Sequence, residues 1–253
     1  TSVADMIFFS IINHNHDHMI VSNTSLAQIA EKNPVVIKSN TPASNALKKF
    51  AASHKITLLD CAYGLGFGEN NNHVFHHLVD NQLICDDDYF LVINPDVIIT
   101  ETEIEKLTRF IETYESDIFT INLFHDESFN IPELSIRRFP KLTGPFKGLL
   151  KKDYRSDAYD KKNITNPLQV DWAAGSFLLF KKKAYEKLGG FSSKFFMYFE
   201  DVDICRRAKK MKMPLTYLPD IKAIHKGAFN NRKIYSKHFI WFLMSYLTYH
   251  FLS

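Results

Sequence analysis

Tyr89-Phe-Leu-Val-Ile-Asn-Pro-Asp-Val97 runs five strand-forming residues into a proline and an acid. So short an unbroken apolar run, rich in aromatic and β-branched residues, predicts a strand buried on both faces. Pro95 cannot donate to a ladder, so it ends the strand and leaves Asp96 just beyond its carboxyl end. In open α/β sheets that edge is where ligands bind. Outward from this stretch, residues 7–12, 35–38, 57–61 and 117–124 read as further strands, with amphipathic helical segments between them. Thr100 and Glu103 have capping-box spacing ahead of Ile104, Leu107, Phe110 and Ile111. The alternation predicts an α/β fold: a mostly parallel central sheet flanked by helices.

Beyond residue 135 the pattern gives way to a polar, basic stretch that includes Arg137, Arg138, Lys151, Lys152, Lys161 and Lys162. It reads as a long surface connection with a short strand. An apolar run at 177–180, a helix ending at Gly189 and Gly190, an aromatic stretch at 195–199 and a second helix bearing Val202, Cys205, Ala208 and Met211 follow.

At 253 residues, with 45% apolar and 23% charged residues, the chain has material for one sizeable domain. Cys61, Cys85 and Cys205 are an odd set without CxxC spacing, which argues against a disulfide framework or a zinc site and favours a reduced, cytoplasmic setting. The apolar run 6–12 lacks the charged start and length of a signal peptide, and no segment reaches the roughly 18 apolar residues of a membrane span. Charge is divided unevenly: residues 1–136 carry 7 Lys/Arg against 19 Asp/Glu, and residues 137–253 carry 24 against 9. A basic half suits nucleic acid or an anionic membrane surface, but no nucleic-acid motif accompanies it.

The earliest glycine is Gly64, so no glycine-rich loop follows the first strand, which removes the Rossmann fingerprint and the P-loop. Asp96 could bridge a diphosphate through a divalent cation, although a turn aspartate after proline looks the same. Glu200, Asp201 and Asp203 open a helix; acids there complement the macrodipole, yet the aromatic residues just before them would desolvate a general base. His225 follows apolar strand residues and is a candidate ligand or a satisfied structural histidine. His14, His16 and His18 alternate in a loop, a spacing that rarely converges on a metal, and residues 13–18 read instead as a binding loop.

Taken in order, Ile12-Asn-His-Asn15, Tyr63-Gly-Leu-Gly-Phe-Gly-Glu-Asn-Asn-Asn72, Ile93-Asn-Pro-Asp-Val97, Asp171-Trp-Ala-Ala-Gly-Ser176, Gly190-Phe191, Phe196-Met-Tyr-Phe-Glu-Asp-Val-Asp-Ile-Cys-Arg206 and Ala223-Ile-His225 resemble the family 2 glycosyltransferases of the GT-A fold. Within that family the likeness is to the rhamnosyltransferases of bacterial O-antigen assembly. The resemblance implies a metal-dependent, inverting hexosyltransferase that moves L-rhamnose from dTDP-rhamnose to a polyprenyl-diphosphate-linked N-acetylglucosamine. Asp201 then matches the catalytic base and Glu200 its acidic neighbour. Asp96 matches the last acid of the DxD motif, with Asn94 in the place of the first, and His225 joins Asp96 on a divalent cation, Mg2+ or Mn2+. Asn13, Ser39, Asn40, Gly66, Phe67, Gly68, Asn71, Asn94, Trp172 and Gly175 match the nucleotide-sugar site, Ser39 standing where many relatives carry aspartate.

The implied layout is a GT-A domain over residues 1–233, with a nucleotide-binding part to about residue 130 and an acceptor-binding part after it, then an apolar helix over 234–253. That tail follows Arg232, Lys233 and Lys237 and either lies in a membrane interface or packs on the sheet. The implied setting is peripheral, on the inner face of a bacterial plasma membrane. Two other readings fit the same residues: a transferase using a UDP-hexose, and a non-catalytic membrane-associated assembly protein.

Overall fold

A computed structural model describes residues 5–140, 157–227 and 237–252. Its sheet is built from β1 (Ile7–Asn13), β2 (Val35–Ser39), β3 (Thr57–Asp60), β4 (Tyr89–Ile93), β5 (Val97–Ile98), β6 (Ile118–Phe124), β8 (Leu168–Gln169), β10 (Phe177–Lys181) and β11 (Leu215–His225). The order is β3-β2-β1-β4-β10-β6-β11-β5, with β8 also paired to β11, while β7 (Ile136–Arg137) and β9 (Trp172–Ala173) form a separate ribbon. The first four strands are parallel, as the buried apolar runs imply. β10 enters the middle antiparallel to both β4 and β6, so the sheet is mixed. The two apolar segments around residues 215–224 form one strand, whose register slips between Leu218 and Lys222.

Helices cover both faces. α2 (Thr24–Lys32), α3 (Asn45–Ser53) and α5 (Glu101–Ile111) lay Leu26, Ile29, Leu47, Ile104 and Leu107 on one side. α4 (Phe67–Asp80), α6 (Lys182–Leu188) and α7 (Glu200–Lys210) lay Val74, Phe75, Tyr185, Ile204 and Ala208 on the other. A short α1 (Asp17–Val21) follows β1. Phe90 and Phe180, two of the 22 phenylalanines, are wholly buried and ring-packed with Tyr185, and each such side chain contributes about 1.5–3 kcal/mol.

The expected capping box at α5 is only half formed. Thr100 Oγ1 accepts from Glu103 N–H at 3.3 Å, but the Glu103 carboxylate accepts from Lys222 N–H at 2.8 Å instead of turning back to Thr100. The bulged strand β11 offers it an unpaired donor, and that tertiary partner wins. At α4 the opposite half forms: Glu69 Oε2 accepts from Gly66 N–H at 3.2 Å, and glycine has no side chain to return the bond.

The C-terminal helix α8 (Lys237–Phe251) lies against residues 195–199, with Tyr249 buried beside Phe195 and Val202. Among the described residues no helix is long and apolar enough to cross a membrane. Lys151, Lys152, Arg232 and Lys233 lie outside the described residues.

Candidate functional site

Two strand ends bring Asp96 and His225 together. β5 pairs antiparallel with β11 so that Val97 stands opposite His225, and Lys226 N–H donates to Asp96 O at 3.1 Å. Asp96 Oδ1 is then 3.2 Å from His225 Nε2, and Glu133 Oε2 is 2.9 Å from His225 Nδ1. Burial by itself would lower the imidazole pKa, but the hydrogen bonds to Asp96 and Glu133 outweigh it and push His225 up to about 10. Burial likewise works to raise the Asp96 carboxyl, and the bond from His225 overrides it and holds Asp96 below the usual carboxylate range.

With the proton on His225 Nε2 displaced, the same pair would suit a divalent cation. Adjacent ligands on an octahedral ion of about 2.1 Å bond length stand about 3 Å apart, close to the separation seen here. Glu133 would fix the remaining ring nitrogen, the usual partner of a metal-bound histidine. Among the described residues no group of three or more His, Cys, Asp or Glu side chains could hold a metal ion by itself. Two protein ligands are what a site completed by substrate phosphates and water needs.

Asp201 is reached through a short chain of contacts. Asn94 N–H donates to Ser176 O at 3.1 Å, and the neighbouring Gly175 N–H donates to Asp201 Oδ2 at 3.1 Å. Val202 N–H donates to Asp201 Oδ1 at 2.8 Å. The residues at the end of β4 and the first turn of α7 therefore meet on one loop, 174–176. A Cβ at Gly175 would stand 3.1 Å from the Phe67 ring and 3.6 Å from Asp201 Cβ, so glycine lets the backbone approach the carboxylate.

Burial pushes both Glu200 and Asp201 upward, as the aromatic setting led us to expect. The two carboxyls differ in their surroundings. Glu200 is raised well above its ordinary value by burial and then by the neighbouring Asp201, and its buried Oε2 has no hydrogen-bond partner among the described residues. Burial raises Asp201 too, but two backbone N–H donors favour its ionised form. Two backbone N–H groups therefore favour the charged form at Asp201, and among the described residues nothing comparable reaches Glu200 Oε2.

The expected nucleotide residues separate into two sets. Asn13, Ser39 and Asn40 tie the ends of β1 and β2 to the loop before α4: Asn13 Nδ2 donates to Ser39 Oγ at 2.9 Å, and Asn40 exchanges hydrogen bonds with Leu65 N–H and O, both at 2.9 Å. They lie at the carboxyl ends of the strands, Asn13 and Ser39 wholly buried and Asn40 nearly so. Asn71 is turned inward, wholly buried, accepting from Ser10 Oγ at 2.8 Å and donating to Phe67 O at 3.0 Å. A Cβ at Gly68 would stand 2.5 Å from Phe191 Cβ, so that glycine too serves packing. Gly66 and Phe67 adjoin the turn before Glu200 and Asp201, Phe67 N–H donating to Phe196 O at 3.0 Å. Trp172 donates from Nε1 to Arg138 O at 2.9 Å and packs its ring against the cluster of Phe195, Val202 and Tyr249. His14 lies beside Asn40, Nδ1 to Nδ2 at 3.3 Å, and His16 is near enough to Asp96 to lower its pKa.

Sequence reasoning missed Glu133 and Asp17. Asp17 accepts from Asn13 Nδ2 at 2.8 Å and from Ser44 N–H at 2.7 Å, and it falls inside the loop read as a binding loop. Nothing in the spacing around Glu133 marks it, because its partner lies 92 residues away.

No family model matches the chain. The chain is 30% identical to rhamnosyltransferase WbbL of Escherichia coli (strain K12) over 96% of its own length and 92% of that protein. It is 25% identical, over 85% of its length and 73% of the relative, to the N-acetylglucosaminyl-diphospho-decaprenol L-rhamnosyltransferase of Mycobacterium tuberculosis (strain CDC 1551 / Oshkosh). In fold it is similar to the crystal structure of GalNAc-T7 with UDP, GalNAc and Mn2+, at a TM-score of 0.58 and 11% identity, covering 89% of this chain and 44% of that one. With a mixed α/β sheet of the GT-A kind and a likeness to WbbL that runs nearly end to end, this chain belongs to the rhamnosyltransferase family of glycosyltransferases.

Proposed function

We propose that the protein transfers L-rhamnose from dTDP-rhamnose, with inversion, to an N-acetylglucosamine carried on a polyprenyl diphosphate. The observation that carries this reading is Asp201: a carboxylate on two backbone N–H groups, one of them from the loop that also receives Asn94. Asp201 accepts the proton of an acceptor hydroxyl as that oxygen attacks the anomeric carbon from the face opposite the diphosphate. Burial and the neighbouring Asp201 both push the Glu200 carboxyl upward, which disfavours a second negative charge beside the reacting oxygen. Asp96 and His225 would hold Mg2+ or Mn2+, which neutralises the departing nucleoside diphosphate. The donor and acceptor classes are supported by what the relatives are named for.

The outer face of α8 exposes Ile240, Leu243, Met244, Leu247 and Phe251. Together with the basic charge of residues 137–253, it supports docking on an anionic membrane surface, peripheral to the cytoplasmic side of a bacterial plasma membrane. The deciding experiment incubates purified protein with dTDP-rhamnose or a panel of UDP-hexoses, a lipid-diphosphate N-acetylglucosamine and Mn2+ or Mg2+. Rhamnosylated product supports the reading. Product only from a UDP-hexose replaces the donor, and no product or donor hydrolysis from any pair leaves an assembly protein.

A further inference from the structure

The turn that delivers Asp201 is held in a conformation its residues do not favour. Tyr198 has φ 69° and Phe199 φ 64°, two consecutive bulky residues in the left-handed region, and Phe199 is followed directly by Glu200 and Asp201. Such a conformation persists only where the surroundings over-determine it. Phe199 also caps α7 without a side-chain acceptor, so the cap itself supplies no compensation.

The surroundings that hold it come from α8. Ser245 Oγ donates to Met197 O at 2.8 Å. Phe242, Tyr246 and Tyr249 surround the Phe199 ring, with centroids at 5.5, 5.9 and 5.4 Å. Tyr249 is only 3% exposed, and Arg206 of α7 donates to its carbonyl at 3.2 Å with the guanidinium 4.0 Å from its ring centroid. The inner face of α8 thus completes a small core under the turn, which Phe195, Val202 and Trp172 share.

We infer that Ser245 and Tyr249 of α8 are positioning residues for the base: they hold the Tyr198–Phe199 turn left-handed, and so keep Asp201 on the Gly175 N–H. Released from α8, both backbone angles would relax toward negative φ, rotating the peptide that enters α7 and carrying the carboxylate off its donor. The inference rests on the assignment of Asp201 as base. It also separates the two faces of α8, the outer for a surface and the inner for chemistry.

The test compares Tyr249→Ala, Tyr249→Phe and Ser245→Ala with the parent on a water-soluble acceptor analogue, without lipid. It reads kcat, donor KM, dTDP affinity by calorimetry, thermal midpoint and the pH profile of kcat. Tyr249→Ala and Ser245→Ala are expected to lower kcat by about 10- to 100-fold, the cost of misplacing a group by about 1 Å, with dTDP affinity changed less than about twofold. Their acid limb should move to higher pH, because Asp201 loses the N–H that favours its charge. Tyr249→Phe, which keeps the ring, should restore both. If Tyr249→Ala does not fold, Ser245→Ala decides. A parent-like kcat and pH profile in folded Ser245→Ala and Tyr249→Ala overturns the inference, as does a fall in kcat matched by the same fall in dTDP affinity. An active Asp201→Asn would instead overturn the base assignment, so the two failures are distinguishable.

Discussion

Glu133 Oε2 stands 2.9 Å from His225 Nδ1, so the orientation of this histidine is set by a carboxylate on a different element from Asp96. If His225 holds a cation through Nε2, Glu133 fixes the tautomer and raises the basicity of the ligand. We expect Glu133→Gln to weaken Mn2+ binding by about 10- to 100-fold, the usual worth of such a partner. His225→Ala and Asp96→Ala should cost at least as much, and all three are read by paramagnetic resonance titration of Mn2+ in the presence of dTDP. Full activity in excess EDTA, with Mn2+ affinity unchanged in these variants, returns the trio to a structural ion-pair network.

Asp201→Asn keeps an oxygen for the Gly175 N–H but no basicity. The expected result is a fall in kcat of about 10²- to 10⁴-fold at saturating donor, with dTDP affinity and thermal midpoint close to the parent. An acid serving only the helix end would behave otherwise, costing about 0.3–1 kcal/mol of stability and little turnover. Asp203→Asn is not a neutral control, because Arg207 Nε lies 2.8 Å from that carboxylate.

Glu200 gives a prediction whose sign follows from linkage. Its folded pKa is raised by burial and by Asp201, so the native state binds a proton more tightly than the unfolded chain does. Stability from this group is therefore present at low pH and is lost as pH rises from the ordinary carboxylate value through the raised one. Glu200→Gln, which mimics the protonated acid, should match the parent in acid and equal or exceed its thermal midpoint at neutral and alkaline pH, while keeping most of kcat. A large loss of kcat in Glu200→Gln with Asp201→Asn active would move the base to Glu200.

Gly66 sits where a Cβ would meet Phe196 O at 2.5 Å. Because that atom is backbone in the turn before Asp201, Gly66→Ala should destabilise by about 1–3 kcal/mol, as overpacking does, and also lower kcat. Denaturant unfolding alongside turnover checks it; a parent-like midpoint and kcat would show that the turn yields freely.

The outer face of α8 should bind vesicles. Met244, 62% exposed, and Leu247, 47% exposed, are the residues to change, because deleting the whole helix would also remove the contacts to Phe199. Met244→Ser with Leu247→Ser is expected to reduce sedimentation with anionic vesicles several-fold, about the loss of two partly inserted apolar side chains. Equal binding to neutral and anionic vesicles would remove the electrostatic part.

By itself the sequence determined the longer strands, because a buried strand needs an unbroken apolar run and Tyr89–Ile93 could supply little else, whereas the two-residue strands β5, β8 and β9 carry no such run. It also determined that Asp96 would follow a strand and that Glu200 and Asp201 would open a helix behind aromatic residues, since proline and helix starts are local events. Long-range pairing was not legible. The antiparallel entry of β10 depends on how the chain returns from its surface connection, and the half-formed cap at Thr100 depends on a free N–H that only the bulge in β11 presents. The inward turn of Asn71 depends on Ser10 across the layer, a partner 61 residues away. The pairing of His225 with Glu133 and the grip of Tyr249 on Phe199 belong to the same class. A side chain's type and spacing fix its local backbone, but which of two available partners it takes is decided by the free energy of the assembled tertiary contacts.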